Sequence, residues 1–115
     1  MPRPRKCRRV CCLPWSAAFG PINERTAQTI VVMSVDEYET IRLIDLMGYT
    51  QEECALQMNV ARTTVQGIYN EARKKIADVL VNAKGLVIQG GDYTLCDSEE
   101  ENCRNCACKL RHSEQ

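Results

Sequence analysis

Apolar residues recur at three-to-four spacing in three consecutive stretches, each bounded by residues that start or stop helices. The first runs from about Asp36 to Met47 and carries Tyr38, Ile41, Leu43 or Ile44, and Met47 on one stripe. Ser34 or Asp36 caps it, the acids Asp36, Glu37 and Glu39 occupy the opening turn where the helix dipole favours them, and Gly48 is its stop. Thr50 and Glu53 have the separation of a capping box, so a second helix begins there and ends at Met58. Asn59 follows, where the chain needs a left-handed residue. The third helix runs from about Arg62 to Asn82, repeating Val65, Ile68, Ala72, Ile76, Val79 or Leu80, and Ala83, until Gly85 breaks it.

Two short runs lack this period. Thr29 to Met33 (TIVVM) is β-branched, and Leu86 to Gln89 (LVIQ) precedes Gly90 and Gly91. Each reads as a strand. A lone ribbon is unstable in water, so the two are expected to pair with each other, or across a dimer. The opening MPRPRKCRRVCCLP has neither period and reads as an extended arm that continues as a loop anchored by Trp15, Phe19 and Ile22.

Within the helices, Gln51 to Asn70 has helix-turn-helix spacing. Ala55 allows close approach, Met58 and Val60 flank Asn59, and Val65 and Ile68 face inward. Any two short helices joined by a turn need similar residues, so the flanks carry weight. The expected fold is mainly α: a three-helix helix-turn-helix core with a short two-stranded β element and cysteine-rich tails that are metal-bound or flexible. Residues 1–28 form the basic arm and loop, 29–93 the helix-turn-helix domain with its strands, and 94–115 an acidic, cysteine-rich tail.

Composition fits one small domain: 115 residues, 44% hydrophobic and only 5% aromatic, so burial falls to aliphatic side chains. The zero net charge at first argues against nucleic acid, yet it hides an asymmetry. Arg3, Arg5, Lys6, Arg8 and Arg9 crowd one end, while Asp97, Glu99, Glu100 and Glu101 crowd the other. No apolar core of a signal peptide follows the basic start and no stretch is long enough to span a membrane, so a cytoplasmic setting is expected.

In a helix-turn-helix, the second helix enters the major groove. Counting outward from Val65 and Ile68, Arg62, Thr63, Gln66, Gly67 and Asn70 face away from the core, with Thr64 at the margin. Arg62 suits guanine, Gln66 and Asn70 suit adenine, and Thr63 suits a thymine methyl or a phosphate. Arg73 and Lys74 have the charge for phosphates, amides near Thr50 and Gln51 can hold another, and the arm's Arg3, Arg5, Lys6, Arg8 and Arg9 suit a groove. Double-stranded DNA is the expected partner.

In a reducing compartment, clustered cysteines favour metal over disulfides. Cys103 and Cys106 form a C-x2-C pair that Cys96 and Cys108 can complete; alternatively, Cys7 and Cys11, or Cys12, from the arm join two of the C-terminal cysteines and close the chain into a loop. Zinc is the first choice of metal, with an iron–sulfur cluster as the alternative. His112 reads as a solvated tail residue and Cys54 as a small buried hydrophobe. No Gly-rich phosphate loop and no base beside a nucleophile is present, so enzyme activity is not expected.

The opening, the segment from Ser34 to Tyr93 and the cysteine-rich tail together resemble the prokaryotic family catalogued as domain of unknown function 134, whose members are described as candidate DNA-binding proteins. Its helix-turn-helix in turn is similar to region four of sigma-70 factors. The resemblance implies a three-helix core, promoter-type DNA recognition and a cytoplasmic regulator. Two departures stand on the reading helix: Ala61 replaces a capping Ser, and Gly67 replaces a long basic side chain. The leading expectation is a DNA-binding transcription regulator that works as a homodimer and responds to a metal or to redox state. The alternatives are a module that docks on RNA polymerase or another regulator without touching DNA, and a metal-binding accessory protein.

Overall fold

The structure is a computed structural model that describes residues 8–23 and 29–95. Among these residues, three helices cross two small sheets. The elements are β1 (Arg8–Val10), β2 (Ala18–Phe19), β3 (Ile30–Met33), α1 (Val35–Thr40), α2 (Gln51–Met58), α3 (Arg62–Asn82), β4 (Gly85–Ile88) and β5 (Tyr93–Leu95). The mainly α architecture agrees with the sequence pattern.

Both short helices begin as their sequences specify. Ser34 accepts from the Glu37 backbone while the Glu37 carboxylate accepts from Ser34 N–H, and Thr50 and Glu53 repeat the arrangement at α2. α1 does not continue as a plain α-helix to Met47. It widens into π-helical turns over Ile41–Leu46, where Met47 N–H reaches back to the Arg42 carbonyl at 3.0 Å. Gly48, at φ +83°, then turns the chain. α3 spans Arg62–Asn82 as the sequence pattern expects, but Ala83 rather than Gly85 ends it by taking the left-handed conformation (φ 54°), and Gly85 opens β4.

The β structure is larger than one two-stranded ribbon. β3 and β4 do pair, in parallel, with Ile30 opposite Gly85 and Met33 opposite Ile88. β2 adds to the other edge of β4 in antiparallel fashion. β1 forms a separate parallel pair with β5, Arg8 opposite Tyr93. The extra pairs satisfy backbone groups that the arm would otherwise leave to water. Trp15, Phe19 and Ile22, expected as loop anchors, are all more than half exposed. The loop is held through the backbone instead, by β2 and by Ile88 N–H donating to the Ala17 carbonyl at 2.7 Å.

Two apolar clusters form. Val10, Met33, Val35, Ala72 and Ile88 build the one beside the sheets. Leu43, Cys54, Ala55, Met58 and Val65 build the one between the short helices and the start of α3. α3 spans both, through Val65 at one and Ala72 and Ile76 at the other, so its stripe fixes the helices relative to the strands. Gly91 lies against α1 at φ +99°, where a Cβ would collide with Asp36 Oδ1 and Ser34 Cβ; only glycine fits there. No described helix is long and apolar enough to cross a membrane.

Candidate nucleic-acid interface

The turn between α2 and α3 is built from local hydrogen bonds. Asn59 adopts the left-handed conformation at φ 59°, ψ 48° and donates to the Leu56 carbonyl, while Val60 N–H donates to the Ala55 carbonyl at 3.0 Å. Met58 and Val65 are fully buried beneath this turn, and Val60 packs beside them. Ala61 occupies the N-cap of α3 and offers no side-chain cap, as the departure at this position implies.

α3 presents a continuous polar face in its first turns. Arg62, Thr63, Gln66, Gly67 and Asn70 are exposed and Thr64 is half-buried, while Val65 and Tyr69 turn inward. Gly67 is exposed, and a Cβ added there meets nothing within 4 Å. The fold therefore has no need of a glycine at this helical position, and Gly67→Ala is expected to raise stability by about 1 kcal/mol, read as a higher urea midpoint. A neutral or destabilising result would contradict the open geometry.

The consecutive basic residues Arg73, Lys74 and Lys75 of α3 point in different directions, as helix geometry dictates. Arg73 stacks over the Tyr69 ring, 5.4 Å from its centre, with Asp45 3.7 Å from its Nε. Tyr69 also donates its hydroxyl to Asp45 at 2.7 Å; burial, then the Asp45 hydrogen bond, pushes its pKa up. Lys75 is turned back to Glu37 at 2.6 Å, and Lys74 is exposed. At α2, the capping box already uses the backbone N–H groups of Thr50 and Glu53. Gln51 is half-buried.

Arg8 and Arg9, expected to follow a groove, meet intramolecular partners instead. Arg8 Nη1 donates to Asp36 Oδ2 at 2.9 Å, and Arg9 Nε donates to the Gln57 carbonyl at 2.8 Å. Val10 anchors this stretch by full burial, so the described part of the arm is docked on α1 and α2. Arg3, Arg5, Lys6 and Cys7 lie outside the described residues, as do Cys96, Cys103, Cys106, Cys108 and His112. Among the described residues, no three of Cys, His, Asp and Glu gather as a metal-ligand set.

Sequence reasoning missed a buried ion pair at the foot of the arm. Glu39 is fully buried and accepts from Arg42 Nε at 2.8 Å, Arg42 Nη2 at 2.9 Å and Cys11 N–H at 3.0 Å. Its i, i+3 spacing was the available signal, but that spacing more often decorates a wet helix surface. Burial pulls the Arg42 pKa down, and the Glu39 hydrogen bonds and charge overcome this and hold it above its ordinary value. Cys54 is buried as expected, 3.7 Å from Met58 Sδ. Burial, reinforced by the Glu39 charge, pushes its thiol up to about 12, so it is inert and neutral at physiological pH.

The family model described as Protein of unknown function DUF134 matches residues 1–96. The chain is 62% identical to the UPF0251 protein of Desulfitobacterium hafniense strain Y51, over 96% of this chain and 90% of that one. A UPF0251 protein of Thermoanaerobacter sp. strain X514 is 44% identical over 97% of this chain and 96% of its own length. One of Ruminiclostridium cellulolyticum is 43% identical over 94% and 88%. No solved structure matches the chain. With a family model covering most of its length and relatives aligned nearly end to end, the chain belongs to the DUF134, or UPF0251, family.

Proposed function

We propose that this protein binds specific sequences in double-stranded DNA and acts as a transcription regulator, reading the major groove with the first turns of α3. The observation that carries the reading is the polar face of Arg62, Thr63, Gln66, Gly67 and Asn70, left open above a buried helix-turn-helix core. Gly67 adds to it: a helix residue that weakens α3 without serving the fold leaves a notch where a nucleic-acid backbone can come close. A single module of this size covers little DNA, so a homodimer reading two half-sites is part of the proposal. The exposed Leu80 and Val81 on α3 and Ile30 and Val32 on β3 provide apolar surface for it.

Selection from a randomised duplex library at several salt concentrations tests the reading. An enriched sequence is expected, with affinity that falls as salt rises. Gln66→Ala and Asn70→Ala should each cost about 1–3 kcal/mol on that sequence and relax the preference at one position. No enrichment together with no salt dependence would refute DNA binding. A second reading, docking on RNA polymerase or another regulator, is favoured by α2, which exposes Leu56 beside Glu52 and Glu53 where a helix-turn-helix would approach phosphates. In that case, pull-down of polymerase persists in the Gln66→Ala variant.

A further inference from the structure

We propose that Cys11 and Cys12 supply two positions of a thiolate site for a soft divalent metal ion of the zinc class, with the buried Arg42 Nη1 as a hydrogen-bond donor to its sulfurs. This site does not depend on the DNA reading.

Adjacent side chains in an extended strand point to opposite faces. Here the chain bends directly after β1, and Cys12 Sγ comes within 3.9 Å of Cys11 Sγ. Two thiolates bound ~2.3 Å from one tetrahedral ion stand about 3.8 Å apart, so the pair already has the spacing of two ligands on a single metal.

The pair is also held against a rigid partner. Cys11 N–H and Arg42 Nη2 donate to the same oxygen, Glu39 Oε2, at 3.0 and 2.9 Å. This seats the guanidinium beside the bend. Arg42 has spent only part of its donor set on Glu39. Its side chain is 4% exposed, and Nη1 is buried with no hydrogen-bond partner among the described residues. A buried donor without an acceptor is costly, which makes it a marker of a missing group. Sulfurs bound to a metal ion still accept N–H donors. A metal–thiolate group at Cys11 and Cys12 thus supplies the acceptor that Arg42 Nη1 lacks, while Glu39 already balances the guanidinium charge.

Each thiol releases its proton to solvent as its sulfur–metal bond forms. Cys11 is disulfide-bonded in the structure, so a thiol or phosphine reductant must first supply two electrons, with two protons from water, to open that bond to two thiols. The remaining metal positions are left to water.

The test uses the full chain, reduced anaerobically with a phosphine, desalted and titrated with Co2+, whose thiolate charge-transfer absorption reports sulfur ligation. The band should appear and be displaced by Zn2+. Cys12→Ser should weaken Co2+ binding about 100-fold or more, and Arg42→Lys, which keeps the charge but loses the planar fork, about 10–100-fold. Cys54→Ser should leave the titration unchanged. Since a variant can fail to fold, alkylation of the wild-type chain provides a second readout: Zn2+ should protect Cys11 and Cys12 from iodoacetamide, as mapped by mass spectrometry. Equal labelling of both cysteines with and without Zn2+, or a Cys11→Ser/Cys12→Ser chain with the wild-type spectrum and stoichiometry, would overturn the site.

Discussion

Glu39→Leu is expected to destabilise the protein by about 3–5 kcal/mol, the range for breaking a buried ion pair by removing one partner. The leucine fills most of the space, so lost packing is not the main cost. What remains is a guanidinium deprived of the carboxylate that accepts both its Nε and Nη2, and a Cys11 N–H that also loses its acceptor. Arg42 keeps its proton even so, because a guanidinium does not deprotonate in proteins, and with the Glu39 hydrogen bonds and charge gone the burial that pulls its pKa down is left without its main counterweight. The double variant Glu39→Leu/Arg42→Met should recover most of the loss, since two apolar side chains have no desolvation debt. Urea denaturation of the single and double variants measures both effects. A single-variant loss below about 1 kcal/mol, or a double variant no more stable than the single, would mean that water reaches the pair.

Met58→Ala is expected to cost about 2–5 kcal/mol, as other truncations of fully buried methionines and leucines do. Met58 ends α2, is fully buried, and touches Cys54 on its own helix while packing in the cluster that contains Val65 of α3. The cavity would open under the Asn59 turn, the joint that sets α3 against α2. Hydrogen exchange of α2 should therefore accelerate more than that of the sheet. Leu56→Ala, two residues earlier and 79% exposed, should change stability by no more than about 0.5 kcal/mol. Equal effects at the two positions would show that the α2–α3 joint is not packed as described.

Much of this geometry was legible in the residues. Thr50 and Glu53 announce their capping box by spacing, Asn59 its left-handed turn by type, and the β-branched Ile30–Met33 its pairing with β4 by the lack of any other partner of suitable composition. These features depend on neighbours in sequence or on a single matching run. The polar face of α3 was legible for the same reason, because one buried stripe fixes what points outward.

The rest depends on contacts that composition does not encode. Arg8–Val10 looks like a basic arm because its one apolar residue makes no pattern, yet Val10 is fully buried and the strand is completed by β5. Glu39 and Arg42 look like surface charges because burial of an ion pair depends on what covers it, and the cover is the arm itself. Ala83 ends α3 in a conformation that Gly85 would have adopted at less cost, because the strand register needs Gly85 opposite Ile30. The widened turn at Ile41–Leu46 likewise leaves no mark in the apolar spacing.

The parallel pairing of β1 with β5 has a kinetic consequence. Arg8 and Tyr93 bracket every helix of the described chain, so this ladder closes the longest loop among the described residues and meets the largest entropic cost of closure among their pairings. During synthesis, Val10 emerges before any helix and then waits, its apolar side chain in water, until Tyr93–Leu95 has been made. The helices can collapse on their own local contacts in the meantime. The strand made first is thus the last to find its place, and on unfolding it should be among the first to leave.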